Sequence, residues 1–302
     1  MTDEDRTPAI DGPALDTLAV VTVAYNSSGH MEHFLGSLRS TEDRPWRVVI
    51  ADNASADVDE LDRIAARHDA EVLHLPENLG YGGAINEAVR TLPPSIDWVL
   101  VVNPDVVFKD GAIGKLLAAG LSDDAVGGVG PGVVDADGVV YPSARNLPSL
   151  RTGVGHAVFV RIWPANPWTR AYLSDRGSTD ARPAGWLSGS CILVRRTAFD
   201  AIGGFDDGYF MYFEDVDLGY RLGRAGWTNL YWPGAVVEHS GAHSTSRDSA
   251  RMILVHHASA ARYLDKKYSG WYLAPLRLAL RSGLRMRGSW LARQERRRAE
   301  RA

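Results

Sequence analysis

The sequence predicts an α/β fold, in which a mostly parallel central sheet is flanked by helices and followed by C-terminal helices. In the first half, apolar runs rich in β-branched residues alternate with segments of helical periodicity. The runs are apolar on both sides, as expected for strands that are buried on both faces of a parallel sheet. Right-handed crossovers then place the carboxyl ends of the strands along one edge, where α/β sheets bind ligands.

Four strands and four helices are predicted before residue 122. The strands are LAVVTVAY (18–25), WRVVIADN (46–53), AEVLHLP (70–76) and DWVLVVNPD (97–105). Their high content of Val, Ile and Leu suits pleated, buried segments. The helices are HMEHFLGSLRS, DVDELDRIAARHD, YGGAINEAVRTL and GAIGKLLAAGL, whose apolar residues recur with the helical period.

After about residue 127 this regular alternation weakens. A hairpin turn is predicted at residues 135–138, and residues 158–183 form a long insert rich in Trp, Pro and Arg. Loops of that length are usually functional or disordered. The remaining predicted elements are a strand at 190–194, a short helix, a helix over 209–226, one or two strands over 228–239, and two closing helices over 248–268 and 271–298.

Composition bounds the function and the location of the protein. The chain has 302 residues and a formal net charge of -4, which argues against nucleic-acid binding. Cys191 is the single cysteine, so an intramolecular disulfide is excluded and a reducing compartment is favoured. Residues 1–16 are acidic, lack the apolar core of a secretory signal and are predicted to be a mobile tail. No apolar run approaches the roughly 18 residues of a membrane span, so we expect a cytoplasmic protein.

The C-terminus has a different character. Between Arg277 and Arg301 there are nine arginines but only Glu295 and Glu300 as acids. Leucines at 276, 280 and 284 follow the i, i+4 spacing of an amphipathic helix with arginines beside them. This pattern indicates peripheral attachment to the inner face of the plasma membrane. A helix packed on the domain with a solvated arginine face, or a homo-oligomer interface, is the alternative.

Polar residues collect where the predicted strands end. The clusters are Tyr25-Asn26, Asp52-Asn53 and Asn103-Pro104-Asp105, and a loop with Gly80, Gly82 and Gly83 follows the third strand. Glycines at that position let a backbone approach a phosphate at a helix N-terminus. Each cluster could equally be a turn, but their coincidence at one predicted edge favours a binding site.

Asp105 and His239 are candidate metal ligands. Asp105 follows a strand, and His239 ends a predicted strand much later in the chain. If both converge on a diphosphate, a carboxylate and an imidazole suit Mg²⁺ or Mn²⁺. The alternatives are an Asn-Pro-Asp turn and a histidine that is simply hydrogen-bonded.

Three acids follow an aromatic run in YFMYFEDVDLGYRLGRAG, residues 209–226. They are Glu214, Asp215 and Asp217. Acids at a helix N-terminus are favoured by the helix dipole, which explains one or two of them but not the preceding aromatics. A carboxylate oriented by its helix at the floor of a pocket would suit a general base, and we interpret the aromatics as walls of that pocket.

Together these segments resemble the inverting family-2 glycosyltransferases with the GT-A fold, in particular bacterial rhamnosyltransferases of cell-wall assembly. The matching segments lie in family order between about residues 18 and 245: VTVAYNSS, VVIADNAS, ENLGYGGAINEA, VVNPDVVF, GWLSGSCILVRRTAFDAIGGFDDGYFMYFEDVDLGYRLGRAG and VVEHSGAHS. Asn103-Pro104-Asp105 departs from the commoner Asp-x-Asp and matches a form found in rhamnosyltransferase-like members.

The resemblance implies a role for each matching residue. Asp215 would be the catalytic base, and Asp105 and His239 would bind a divalent cation. The donor nucleotide would be bound by Tyr25, Asn26, Asp52, Asn53, Gly80 and Asn103. The acceptor would be bordered by Trp186, Ser188, Gly189 and Glu214.

The resemblance also implies the substrates. The donor would be dTDP-rhamnose, and the acceptor a polyprenyl-diphosphate-linked GlcNAc in the linker between peptidoglycan and arabinogalactan. The implied catalytic domain spans residues 17–246, and residues 247–302 form the C-terminal helical region with its basic tail. The alternatives are a family-2 transferase that uses UDP-galactofuranose or UDP-GlcNAc, and a nucleotide-sugar-binding protein without turnover.

Overall fold

The computed structural model describes residues 16–41, 46–150, 180–239 and 249–300. Most of the predicted N-terminal tail, most of the long insert and the boundary between residues 246 and 247 lie outside these ranges. The described helices are α1 (Ser28–Thr41), α2 (Val58–Arg67), α3 (Gly80–Thr91), α4 (Ala112–Leu121), α5 (Arg196–Ala201), α6 (Glu214–Arg224), α7 (Ser249–Lys267) and α8 (Ala274–Ala299). A single 3₁₀ turn, Trp271–Leu273, precedes α8.

The described strands are more numerous than the sequence predicts, because several are only two or three residues long. They are β1 (Leu18–Ala24), β2 (Arg47–Asp52), β3 (Glu71–His74), β4 (Trp98–Val102), β5 (Val106–Phe108), β6 (Val126–Val134), β7 (Val140–Tyr141), β8 (Ala144–Arg145), β9 (Arg182–Ala184), β10 (Trp186–Leu187), β11 (Cys191–Arg195) and β12 (Thr228–His239). Such short strands carry no periodic pattern of their own.

One large sheet organises the fold, with the strand order β3-β2-β1-β4-β11-β6-β12-β5. The parallel pairs are β2–β3, β1–β2, β1–β4 and β6–β12. β11 runs antiparallel to both β4 and β6, and β5 runs antiparallel to β12. Six of the eight strands on this path therefore point the same way. The predicted α/β fold with a mostly parallel sheet and flanking helices is confirmed.

Consecutive side chains of β1 enter two separate cores, one on each face of the sheet. Val20 packs in the core that contains residues of α1, α2 and α4, whereas Val21 packs in the core that contains residues of α3, α5 and α6. Because the side-chain period of a strand is two, an apolar run fills both faces. Burial of both faces explains why the β1 and β4 runs contain no polar side chain other than Thr22.

β12 is a single strand with an irregularity rather than two strands. Its pairing with β6 shifts register between Trp232 and Val236, where Pro233 and Gly234 interrupt the run. Pro cannot donate a ladder hydrogen bond, so the strand bulges there and then resumes. The second part carries the strand to His239 at the edge where β5 begins.

The C-terminal helices pack on the body next to α6. Tyr263 of α7 is fully buried against Tyr209 and Val216. Lys266 forms ion pairs with both Asp206 and the fully buried Asp217. α7 and α8 then pack against each other, with Gly288 of α8 close to His257 of α7. Within the described ranges, each helix is too short or too polar to cross a bilayer.

Candidate active site

The predicted edge of the sheet gathers polar segments from four strands. The backbone N–H of Asn53, after β2, donates to the carbonyl of Ala24 at the end of β1, at 2.9 Å. The N–H of Asn103, after β4, donates to the carbonyl of Ser190, just before β11, also at 2.9 Å. The antiparallel β11 therefore starts where its parallel neighbours end, which brings its preceding loop to the same edge.

Asp52 lies at the end of β2 and is 2% exposed. Its Oδ1 accepts a hydrogen bond from the backbone N–H of Ser55 at 3.1 Å, and its Oδ2 lies 3.2 Å from Nδ1 of His74. An ionised carboxylate has about four acceptor sites, so these two contacts leave capacity for a ligand. Tyr25, by contrast, is 49% exposed beside the same loop.

Asn26 and Asn53 brace the loops around this edge. Asn26 has a positive φ of 51°, and its Oδ1 accepts from the N–H of Ala56 at 2.8 Å. The Asn53 side chain accepts from the N–H of Leu79 at 2.8 Å and donates to the carbonyl of Gly80 at 3.1 Å. These amides therefore hold the shape of the loops that would surround a nucleotide.

Gly80 occupies a position that no other residue type fits. Its φ is +76°, and a Cβ there would lie 2.2 Å from the carbonyl oxygen of Phe210. The next N–H, of Tyr81, donates to that same carbonyl at 3.0 Å. The glycine thus allows the start of α3 to contact the segment that precedes α6.

Asp105 and His239 are in direct contact, so a carboxylate and an imidazole lie side by side at this edge of the sheet. Nε2 of His239 lies 3.1 Å from Oδ1 of Asp105, and both side chains are about one-fifth exposed. Burial acts to raise the pKa of Asp105, but the hydrogen bond and charge of His239 outweigh it and lower the pKa overall. The pairing of β12 with β5, with His239 opposite Val106, brings them together.

These two donors fit a divalent cation that takes its remaining ligands from elsewhere. Among the described residues, no group of three or more His, Cys, Asp or Glu side chains is arranged to hold a metal ion. A carboxylate and an imidazole supply two ligands, and the oxygens of a nucleotide diphosphate would supply others. Asn103 lies on the loop just before Asp105 and is half-buried.

Asp215 is the partly exposed acid of its group. Its Oδ2 accepts from the backbone N–H of Gly189 at 3.0 Å, and its Oδ1 accepts from the N–H of Val216 at 2.8 Å. Burial raises the pKa of Asp215, while these two N–H groups oppose the rise by stabilising the carboxylate. An accessible carboxylate with a raised pKa is suited to accept a proton.

Glu214 and Asp217 lie on the inner side of the same helix. Glu214 is 8% exposed, and its buried Oε2 lacks a hydrogen-bond partner among the described residues. Burial and the neighbouring Asp215 raise the pKa of Glu214. Asp217 is fully buried and is bonded by Nε of Arg221 at 2.6 Å and by Nζ of Lys266 at 2.8 Å.

The aromatic run before these acids is explained chiefly by packing against α7. Tyr209 is fully buried, and the ring of Phe213 lies 5.8 Å from that of Tyr263. The interpretation of these two side chains as walls of an open pocket is therefore wrong for both. The predicted helix over 209–226 begins only at Glu214, because Tyr212 and Phe213 both have a φ of 65°. Left-handed backbone at two such residues is strained and is maintained by the surrounding contacts.

The segment predicted to border the acceptor, residues 186–190, runs along α6. Trp186 belongs to β10, and its Nε1 donates to the carbonyl of Asn146 at 3.2 Å. The N–H of Ser188 donates to the carbonyl of Ser143 at 2.7 Å, and its Oγ lies 3.0 Å from Oγ of Ser190. Gly189 is buried and binds Asp215 directly.

Tyr81 connects the two halves of the site, and sequence reasoning missed it. Its hydroxyl donates to the carbonyl of Gly189 at 2.6 Å, and it follows Gly80 directly in the chain. Burial and the charges of Glu214, Asp215 and Asp105 raise its pKa well above the ordinary value, so it remains a neutral donor. Among the described residues, no hydrogen bond joins Asp52 directly to Asp215. The only sequence signal for Tyr81 was its position in the glycine loop.

Comparison with known proteins identifies the arrangement. The family model described as glycosyltransferase like family 2 matches residues 16–253. The chain is 46% identical over 295 residues to the N-acetylglucosaminyl-diphospho-decaprenol L-rhamnosyltransferase of Mycobacterium tuberculosis, which covers 95% of this chain and 96% of the relative.

Two solved structures share the fold at low sequence identity. One is the mannosyltransferase PcManGT from Pyrobaculum calidifontis in complex with GDP-Man and Mn²⁺, with a TM-score of 0.59, 16% identity, and coverage of 95% of this chain and 75% of that one. The other is GalNAc-T7 with UDP, GalNAc and Mn²⁺, with a TM-score of 0.54, 15% identity, and coverage of 88% and 54%.

Proposed function

The chain belongs to glycosyltransferase family 2, and on that premise we propose that it transfers rhamnose from dTDP-rhamnose to the GlcNAc of a polyprenyl-diphosphate-linked acceptor. The acceptor and the sugar are inferred from the relative that matches this chain almost end to end. The proposed dTDP nucleotide follows from the transferred sugar and from the resemblance described above.

The observation that supports catalysis is the position of Asp215. It is a partly exposed carboxylate at the first turn of α6, held by the Gly189 N–H at 3.0 Å. Its neighbour Glu214 is 8% exposed and faces the interior, which leaves Asp215 as the carboxylate that an acceptor can reach. A protein that only binds a nucleotide sugar has no need of such a base.

In the proposed reaction, Asp215 removes the proton from the acceptor hydroxyl as its oxygen attacks the anomeric carbon. The new C–O bond forms on the face opposite the leaving nucleotide, whose diphosphate departs with the electron pair of the broken bond. The configuration at the anomeric carbon is therefore inverted. A single carboxylate suffices, whereas an inverting hydrolase needs a second carboxyl group as the acid.

Asp105 and His239 would hold the divalent cation, Mg²⁺ or Mn²⁺. When bound, it would neutralise the charge that develops on the leaving diphosphate. Asp52 and the loop at Gly80 would bind the donor nucleotide next to the cation. Tyr81, which is kept neutral, would keep the loop before β11 in contact with the glycine loop through its bond to Gly189.

We further propose that α8 attaches the enzyme to an anionic bilayer, where a polyprenyl acceptor resides. Of the predicted leucine stripe, Leu276 is 39% exposed, whereas Leu280 and Leu284 are partly buried. Met286 and Trp290 are instead 73% and 57% exposed on the outer side. Trp271 and Tyr272, just before the helix, are 86% and 69% exposed.

Arginines flank this exposed face. Within the described chain, ion-pair partners are absent for Arg285, Arg287, Arg293, Arg296 and Arg297. Exposed Trp, Tyr and Met with unpaired arginines are typical of helices that lie in the headgroup region of anionic membranes. This supports a location at the inner face of the plasma membrane. Dimerisation through the same face is the competing possibility.

The direct test is a transfer assay with dTDP-rhamnose and farnesyl-diphosphate-GlcNAc, in which UDP-galactofuranose and UDP-GlcNAc compete as donors. We expect rhamnosyl transfer that neither UDP-sugar replaces. Transfer from a UDP-sugar alone would retain the family and the base but discard rhamnose. Binding of nucleotide sugars without any transfer would favour a protein without turnover.

A further inference from the structure

Arg145 lies at the acceptor side of the site, and among the described residues only its Nε forms a hydrogen bond. Its Nε donates to the carbonyl of Pro142 at 3.0 Å. Its guanidinium carbon lies 5.6 Å from the ring centre of Tyr141 and 5.9 Å from that of Trp186. Within the described residues, Nη1 and Nη2 have no hydrogen-bond partner. The fork is therefore oriented by two rings and a carbonyl, with its donors available to a ligand.

The pairing of β8 with β10 places Arg145 beside the segment that contacts the base. Arg145 lies opposite Trp186 in that pair, and Gly189, three residues further on, binds Asp215. On α6, Gly219 lies one turn beyond Asp215 on the same face, and a Cβ there would be 2.7 Å from Cα of Trp186. Trp186 therefore lies between Arg145, its partner in the strand pair, and the helix that carries Asp215.

Electrostatics agrees with this placement. Burial raises the pKa of Asp215, and the positive charge of Arg145 is one of the influences that oppose that rise. Neighbouring cations are committed to other groups. Arg182 donates to the carbonyl of Ala144 and lies over the Tyr231 ring, and Lys267 donates to the carbonyl of Pro148.

We propose that Arg145 binds the diphosphate of the lipid-linked acceptor while the sugar hydroxyl of that acceptor contacts Asp215. This inference rests on the proposed function and adds a subsite to it. One sugar ring separates the attacking hydroxyl from the anomeric diphosphate, so a group that binds the diphosphate must lie close to the base, as Arg145 does through Trp186 and Gly189. A guanidinium fork binds phosphate oxygens through two parallel N–H···O bonds and suits this role better than a lysine.

The test compares Arg145→Gln and Arg145→Lys with the wild-type enzyme, using a charged and a neutral acceptor. The charged acceptor is farnesyl-diphosphate-GlcNAc, and the neutral one is octyl GlcNAc, whose affinity is measured as a competing acceptor. We expect Arg145→Gln to raise the KM of the diphosphate acceptor about tenfold or more, because charge-assisted hydrogen bonds are lost. The affinity for octyl GlcNAc and the KM of dTDP-rhamnose stay unchanged, and Arg145→Lys is intermediate.

Arg224→Gln is the matched control, since Arg224 also lies over a tyrosine ring, that of Tyr220, at 5.9 Å. Arg224→Gln should leave unchanged the KM of the diphosphate acceptor, the affinity for octyl GlcNAc and the KM of dTDP-rhamnose. An unchanged acceptor KM in Arg145→Gln, an equal loss of affinity for both acceptors, or a rise in the donor KM alone would each overturn the inference. Absence of transfer by the wild-type enzyme would instead contradict the proposed function, which keeps the two failures distinct.

Discussion

The backbone N–H of Gly189 lies 3.0 Å from Oδ2 of Asp215, which ties the loop before β11 to the first turn of α6. The same glycine accepts a hydrogen bond from Tyr81 through its carbonyl at 2.6 Å. One residue thus links the glycine loop on the donor side to the proposed base. The bond also favours the ionised form of Asp215, which a base requires.

Replacement of His239 by Ala should weaken metal binding. We expect the Mn²⁺ concentration for half-maximal transfer to rise at least about tenfold, since even outer-shell partners of a metal contribute that much. EDTA should abolish transfer by the wild-type enzyme, and added Mn²⁺ should restore it. His33→Ala is the control, because His33 is exposed on α1. Full transfer in EDTA would show that the reaction does not require a metal ion.

Glu214 should make the stability of the protein depend on pH. Burial and Asp215 raise its folded-state pKa from 4.5 to about 8, so between these values the folded state holds a proton that the unfolded state has lost. The contribution of protonated Glu214 to the free energy of unfolding is fully present below about pH 4.5 and is lost as the pH rises through 8.

The Glu214→Gln variant removes this titration while keeping the shape of the side chain. The Tm of Glu214→Gln should be close to that of the wild type at pH 5. At pH 8.5 it should exceed the wild-type Tm by a few degrees. Thermal unfolding at both pH values, with Glu87→Gln at the partly exposed Glu87 of α3 as control, measures the difference. A Tm difference that is the same at both pH values would show that Glu214 does not titrate in this range.

Gly80→Ala should disrupt the link between the glycine loop and the segment before α6. The added methyl would lie 2.2 Å from a backbone oxygen, and the φ of +76° disfavours any side chain. We expect a loss of roughly 1–3 kcal/mol in the free energy of unfolding. A larger relative loss of transfer activity should accompany it. Gly36→Ala on α1, where the added Cβ meets nothing within 4 Å, should be neutral or stabilising. Wild-type stability in Gly80→Ala would refute this description of the loop.

The outer face of α8 should govern binding to anionic vesicles. Met286→Ser/Trp290→Ser should reduce flotation with phosphatidylglycerol vesicles, and the residual binding should fall further with salt, because the arginines still contribute. The control is Leu121→Ser/Val139→Ser, which removes two exposed apolar side chains elsewhere. Unchanged flotation would count against the membrane. A double variant that instead shifts from dimer to monomer in solution would assign the face to a homo-oligomer.

The repeating part of the fold was predictable because its elements have strong periodic patterns. β1, β2 and β4 were found within a few residues, and their polar ends do lie along one edge. The sequence alone did not show whether Asp105 and His239 meet, and the structure places them 3.1 Å apart. The roles of the candidate residues in binding and catalysis remain predictions.

The remaining features depend on tertiary contacts that leave no local signal. The residues before Glu214 read as helical, but packing against α7 imposes left-handed backbone on Tyr212 and Phe213. The two-residue strand that carries Arg145 has no period to detect. The partial burial of Leu280 and Leu284 on α8 was not predicted, because the sequence alone does not reveal which side of the helix meets α7.

The central claim is that Asp215 is the base of rhamnosyl transfer to a polyprenyl-diphosphate-linked GlcNAc. The most direct test measures transfer from dTDP-rhamnose to farnesyl-diphosphate-GlcNAc by the wild-type enzyme and by Asp215→Asn, with Asp200→Asn as the control. The account predicts that Asp215→Asn keeps its fold and its donor affinity but loses about 10²–10⁴-fold in kcat. Rhamnosyl transfer by Asp215→Asn at the wild-type rate would contradict it.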